Sequence, residues 1–224
     1  MLKRSIITTA DGSTTIHIAD WNEQYHSKHG AIQEAKHVFI DAGLHTFLGR
    51  YPKTTQLSIL EIGFGTGLNA LLTLNEAQLC PIKVNYHGVE AYPVKEDELL
   101  SLNYSNIIPN SQRDFDVIHD CKWDTAFNIH PNFQLKKRLQ LFSDITDRDA
   151  FDIIYFDAFG PRVQPQLWTP EVFKVMHTAL KMGGLLVTYS AKGSVRRAMS
   201  AVGFQVERLP GPPGKREMLR ATKQ

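Results

Sequence analysis

Cysteine is nearly absent: the 224-residue chain has two, Cys80 and Cys121. They are far apart and lack metal-type spacing, which argues against a disulfide framework or a zinc site and favours a reducing compartment. No uninterrupted apolar run approaches the roughly 18 residues of a membrane span, and the first residues contain no apolar signal core. A soluble, cytoplasmic protein without membrane association is therefore expected. Strong charge of one sign is missing too, since 25 Lys and Arg against 23 Asp and Glu leave a net charge of +2. That balance alone does not establish a nucleic-acid partner. No internal repeat or low-complexity linker is visible. What is present is apolar: a 42% share is enough for a sizeable core, and the length suggests one domain, residues 1–224, with additions.

Charge is unevenly spread. From Lys192 onward Lys192, Arg196, Arg197, Arg208, Lys215, Arg216, Arg220 and Lys223 face only Glu207 and Glu217. A second basic cluster lies at Lys136, Lys137 and Arg138. Each member by itself reads as readily as solvated surface charge.

Alternating β-formers on both sides of Asp11-Gly12 predict an opening hairpin. Ile32, Ala35, Phe39 and Ala42 then recur near helical spacing, with Gly43 as the expected residue after the helix. Residues 1–56 are read as an N-terminal extension and lid. From Leu57 strands and helices alternate: "LSILEIG", "VNYHGVE", "FDIIYFD" and "LLVTYS" read as strands, and "TGLNALLTL" and "KEDELLSLN" as helices. Thr169-Pro170 predicts a helix start and Gly183-Gly184 its stop. Between about 116 and 142 the period becomes two, which predicts a β insertion leading into a third strand that ends near Asp144. Two final strands across "GPPGK" must run antiparallel, because so short a connection excludes a parallel crossover. The expected fold is α/β and Rossmann-like: a seven-stranded, mostly parallel sheet with one reversed strand.

In open α/β sheets ligands bind beyond the carboxyl ends of the strands. Gly63, Gly65 and Gly67 there allow a sharp turn and close approach of a ligand. A dinucleotide fingerprint would need glycine at Leu68, and the Gly-Lys-Ser/Thr of a P-loop is absent. Glu61 would repel a pyrophosphate but attract a sulfonium, which favours S-adenosylmethionine over NAD. Glu90 suits ribose hydroxyls and Asp144 an adenine amino group. His26, His29 and His37 lack converging carboxylates or cysteines, so no metal is expected.

The strings "LEIGFGTGLN", "YFDAFGPRVQPQLWT", "SAKGSVRRAMSAVGF" and "GPPGKREML" resemble the methyltransferases that act on tRNA wobble uridine bearing an aminomethyl group, from about Tyr25 to Arg220. One departure is Gly160, where the family pattern has alanine. The resemblance implies a class I methyltransferase fold with S-adenosylmethionine as cofactor and tRNA as partner. It carries over Glu61, Gly63, Phe64, Gly65, Thr66, Gly67, Asn69, Glu90 and Asp144 as the cofactor shell, with Tyr25, Ser27 and Glu34 as a lid. The length matches the methyltransferase half of the family's bifunctional enzymes, so methyl transfer alone is expected, by a monomer, onto an amine made by a separate enzyme.

Asp157 is the expected catalytic residue. An alkylammonium has no lone pair, so a carboxylate that holds the amine and takes or relays its proton meets the need of the reaction. Phe159 and Pro161 would wall the uracil. Ser190 and Lys192 would reach the nucleotide, and Arg196, Arg197, Lys215 and Arg216 its phosphates. The alternatives are an aminopropyltransferase of the polyamine-synthase type, a small-amine N-methyltransferase, or a non-catalytic tRNA-binding module. The first usually carries an acid in its glycine loop, and none stands between Gly63 and Asn69; the last would leave the strand-end acids idle.

Overall fold

The computed structural model describes residues 2–224. Strands β1 (Arg4–Thr8) and β2 (Thr14–Ile18) form the predicted hairpin, with Arg4 opposite Ile18 and Thr8 opposite Thr14. Its turn is set by Gly12 at φ +83° and by the Asp11 carboxylate, which accepts hydrogen bonds from Thr9 and Ser13. A short β3 (Glu23–Gln24), not anticipated, pairs with β2.

The next helix runs further than predicted. It consists of α1 (Ala31–Ala35), a π-helical stretch Lys36–His45 and α2 (Thr46–Arg50) in succession. Gly43 lies inside it rather than after it. A Cβ there would stand 3.1 Å from both Tyr155 Cε1 and Val187 Cγ2, so glycine at this position lets the helix lie close on the sheet.

The main body follows as β4 (Gln56–Ile62), α3 (Leu68–Leu79), β5 (Lys83–Glu90), α4 (Glu96–Leu99), α5 (Tyr104–Ile107), α6 (Gln112–Asp120), β6 (Ala126–His130), β7 (Phe133–Leu139), β8 (Phe151–Phe156), α7 (Pro170–Ala179), β9 (Leu180–Thr188), α8 (Gly193–Ala201), β10 (Phe204–Pro210) and β11 (Glu217–Lys223). The sheet order is β10-β11-β9-β8-β4-β5-β7-β6. Neighbours from β9 to β7 are parallel; β11 runs antiparallel to β9 and β10, and β6 antiparallel to β7. The sheet therefore has eight strands with two reversed, against seven with one expected.

The extra strand explains the period-two region. Residues 116–120 finish α6, and only β6 is added to the edge. Phe133, Leu135 and Lys137 belong to the third core strand itself, which alternates because it turns one face inward. That strand stops at Leu139, and Phe142–Asp144 is a single 3-10 turn. Helix α7 starts at Pro170 as predicted but ends at Ala179, so Gly183-Gly184 fall within the irregular first part of β9.

Two apolar clusters sandwich the sheet. Phe39, Leu44, Leu71 and Tyr155 pack with the long helix and α3 on one face, and Ile154, Phe173, Met176 and Met199 with α7 and α8 on the other. The carboxyl ends of β4, β5 and β8 thus meet at one rim, under the N-terminal sheet.

Candidate active site

After β4 the chain passes through Gly63, Gly65 and Gly67, at φ +88°, +48° and +71°. Only glycine holds such angles without strain. Gly63 also needs to lack a side chain, since a Cβ would lie 2.8 Å from the Asp157 carbonyl oxygen. The turn is pinned to β5: Gly63 and Phe64 both donate to the Val89 carbonyl at 3.0 Å, and Gly65 N–H donates to Glu90 Oε2 at 3.1 Å. Phe64 points away from the rim, edge-on to Trp123 and His119.

A cavity of about 760 Å³ opens in front of this turn. On one side are Gly63, Gly65, Glu90, Ala91 and Tyr92; on the other are Asp157, Phe159, Gln164 and Tyr189. Trp21, Tyr25, Ser27 and Glu34 roof it from the N-terminal segment, and Lys215 enters from the loop before β11.

Acids dominate its electrostatics: Glu23, Glu34, Glu90 and Asp157 line it, and Glu61 lies behind its wall. Glu61 is 1% exposed and lies below the cavity, taking hydrogen bonds from Asn69 Nδ2 and Tyr86 OH, each at 2.8 Å. Burial pushes its carboxyl well above the usual range, countered in part by Asn69. The same Asn69 Nδ2 donates to Asp157 Oδ2 at 2.9 Å, fixing this carboxylate just past β8. Asp157 is likewise raised well above its ordinary value, first by burial and then by the charge of Glu34. Glu90 is raised by burial, against which its backbone hydrogen bonds from Tyr92 and Gly65 act.

The roof is fastened by side chains. Glu34 accepts from Ser27 N–H at 2.8 Å and pairs with Lys215 Nζ, which stands 3.9 Å over the Tyr189 ring. Arg162 Nη2 donates to the Trp21 and Asn22 carbonyls and to Glu23 Oε2, at 2.9, 3.0 and 3.0 Å. Trp21 and Tyr25 meet the Phe159 ring edge-on, with centroids 5.5 and 4.9 Å away. Arg4 pairs with Glu98 at 3.0 Å.

Of the residues expected at the site, Tyr25, Ser27, Glu34, Gly63, Gly65, Glu90, Asp157, Phe159 and Lys215 line the cavity. Glu61, Phe64, Thr66, Gly67 and Asn69 stand behind its wall; Thr66, for example, is buried with its hydroxyl 3.3 Å from Tyr104 OH. The structure does not bring the others into it. Asp144 is exposed and takes a hydrogen bond from Ser143, while Leu141 and Phe142 line the cavity nearby. Ser190 is buried, Lys192, Arg197 and Arg216 are exposed, and Pro161 and Arg196 are half-buried, all outside the cavity lining. Lys215 was expected on phosphates and instead faces inward. Sequence reasoning missed Trp21, Tyr92, Arg162, Gln164 and Tyr189. Arg162 and Gln164 stand in the same string as Asp157, but no periodicity marks which loop residues turn inward.

Among the described residues no group of three or more His, Cys, Asp or Glu is gathered as for a metal, and no helix is long and apolar enough to cross a membrane.

Sheet order, glycine turn and strand-end acid define the fold of the class I methyltransferases. A family described as S-adenosyl-L-methionine-dependent methyltransferase matches residues 134–224. The chain is similar to proteins of the MnmC type in sequence and in fold. It is 29% identical over 215 residues to the tRNA 5-methylaminomethyl-2-thiouridine biosynthesis bifunctional protein MnmC of Paracidovorax citrulli, and 30% over 216 residues to that of Aromatoleum aromaticum. In both comparisons 90% of this chain is covered but 33% of the relative, so the chain spans about a third of their length. The crystal structure of MNMC2 from Aquifex aeolicus superposes with a TM-score of 0.83 at 24% identity, covering 100% of this chain and 71% of that one. Spermidine synthase from Thermotoga maritima shares the fold at 0.59 and 13%, covering 99% and 69%.

The residues present fit the cofactor. The glycine cradle leaves backbone exposed where a Cβ would meet Asp157 or Tyr25. Glu90 has one hydrogen bond to each oxygen from Gly65 and Tyr92, leaving lone pairs for a diol.

Proposed function

We propose that the chain methylates the amine of 5-aminomethyl-(2-thio)uridine at the wobble position of tRNA, giving 5-methylaminomethyl-(2-thio)uridine. The observation that carries this reading is Asp157, a fixed carboxylate at the cavity wall between the glycine turn and an aromatic face. The names of the relatives, which are tRNA 5-methylaminomethyl-2-thiouridine biosynthesis proteins, support the choice of acceptor.

S-adenosylmethionine supplies an electrophilic methyl group on a sulfonium sulfur. Gly63, Gly65 and Glu90 would hold it, with Tyr25 as the lid and Leu141 and Phe142 beside it. Asp157 accepts a hydrogen bond from the acceptor amine, directs its lone pair and takes or relays its proton. Phe159, with Trp21 and Tyr25 against it, walls the base and keeps water out. Asn69 and Glu61 do not touch the reactants; they hold Asp157 in place.

The test uses a tRNA anticodon stem–loop carrying 5-aminomethyl-2-thiouridine and methyl-labelled donor, followed by nucleoside mass spectrometry. The expected product is 5-methylaminomethyl-2-thiouridine. Asp157→Asn should lower kcat by about 10²–10⁴-fold while donor affinity changes little. Wild-type turnover by that variant would remove Asp157 from the chemistry. Label appearing in putrescine instead of RNA would favour a small-amine acceptor. The cellular counterpart is a separate enzyme that makes the aminomethyl group, acting in the cytoplasm on the same tRNA before this chain, which works as a monomer.

A further inference from the structure

Lys215 has left the surface. It sits in the short loop between β10 and β11, in a locally basic region, yet its side chain is 31% exposed and its ammonium is committed to Glu34 and to the face of Tyr189. A lysine that serves RNA phosphates presents its charge to solvent. This one presents it to the cavity that holds Asp157.

The charged and titratable groups around that spot come from several elements. Glu34 projects from α1, Asp157 follows β8, and Tyr189 follows β9. Glu61 lies behind Asn69, and Glu23 and His26 come from the N-terminal segment. Burial holds His26 neutral, pushed down to about 4, and keeps Tyr189 protonated well above its ordinary range. Among the described residues Arg4 and Lys215 are the lysine and arginine side chains that line the cavity. Arg4 acts at the Glu90 and Tyr25 side, whereas Lys215 acts on Asp157.

This arrangement bears on the acceptor's protonation. Two carboxylates facing an alkylamine would fix it as ammonium, a form with no lone pair. The Lys215 charge offsets one of them and repels a second cation next to it. We infer, on the reading that the acceptor is a primary amine bound at Asp157, that Lys215 is a positioning residue for its charge state, holding the amine as the free base. The incoming ammonium gives up one proton, to Asp157 or to water, and its lone pair becomes available. The same principle activates catalytic lysines placed beside another cation.

The test is the pH dependence of kcat with the aminomethyl stem–loop at saturating donor. Lys215→Met should move the acid limb upward by about one pH unit, so that turnover falls about tenfold at pH 7 and recovers at higher pH. Glu34→Gln removes the opposing charge and should move the limb downward. A purely structural role would lower both variants uniformly with pH and not shift them in opposite directions. Because Asp157 titrates in the same field, the measurement is repeated with an acceptor whose amine is replaced by the far less basic aminooxy group. The limb should then cease to respond to Lys215→Met; a limb that still moves belongs to Asp157 and overturns the inference. Coincident profiles in active enzyme, or a loss seen only as a salt-dependent rise in KM for RNA, overturn it too. If the wild-type chain methylates no aminomethyl stem–loop at any pH, the wobble-uridine reading falls and takes this inference with it.

Discussion

Asp157 is held by a single neutral donor, Asn69, among groups of its own sign, and the folded chain resists its ionisation. A carboxyl whose folded value lies above its unfolded one binds protons more tightly in the native state. Stability is therefore lost as pH rises from the unfolded value near 3.8 towards the folded one. Asp157→Asn should accordingly melt higher than the wild-type chain without ligand, by a margin that widens with pH through that window, while it loses activity. Differential scanning calorimetry from pH 4 upward checks this; equal melting curves at every pH would mean that the carboxylate carries no desolvation cost. Asp157 was legible in the sequence because an acid directly after an apolar strand has few structural uses. Lys215 was not, since a lysine in a Gly-Pro-rich loop looks like surface, and its inward turn depends on Glu34, which lies 181 residues away.

The loop from Asp157 to Trp168 works as a unit. Trp168 Nε1 donates to the Phe159 carbonyl at 2.8 Å and so fixes the loop to its own end, while Arg162 reaches across to three acceptors around β3. Arg162 is half-exposed, so the pair with Glu23 adds only about 0–1 kcal/mol. Its larger effect is to keep Trp21 against Phe159. Arg162→Ala should thus leave the melting temperature within a few degrees, speed amide exchange over residues 21–24, and raise KM for the stem–loop several-fold at unchanged donor affinity. Unaltered exchange in that segment would show that the clasp is dispensable. Elements of the sheet were read well where apolar runs were continuous, as in β4, β8 and β9, because strands buried on both faces leave no other pattern. Half-buried strands near the edge gave the same alternation whether core or insertion, which is why β7, a core strand paired on both sides, was assigned to the insertion. The long helix was cut at Gly43 because glycine marks a helix end and a close helix–sheet contact equally well.

Across the whole molecule the near-balanced charge conceals a division of labour. Glu90 and Asp157 stand at the rim of the sheet with Glu34 above them, and the exposed cations Lys192, Arg197 and Arg216, with the half-buried Arg196, stand outside the cavity. Changing these four residues to alanine should weaken tRNA binding and flatten its dependence on salt while donor affinity stays the same. Fluorescence anisotropy over a range of salt concentrations reads this, and an unchanged slope would move the RNA surface elsewhere. The roof of the cavity has a further consequence. Its fastenings tie Arg4 to Glu98, Glu23 to Arg162 and Glu34 to Lys215, so these three residues wait for partners made later in the chain. Such distant pairings close slowly. A nascent chain arrested before position 215 would have its floor laid and its ceiling ajar, with the Glu34 carboxylate lacking its cation until the β10–β11 hairpin emerges.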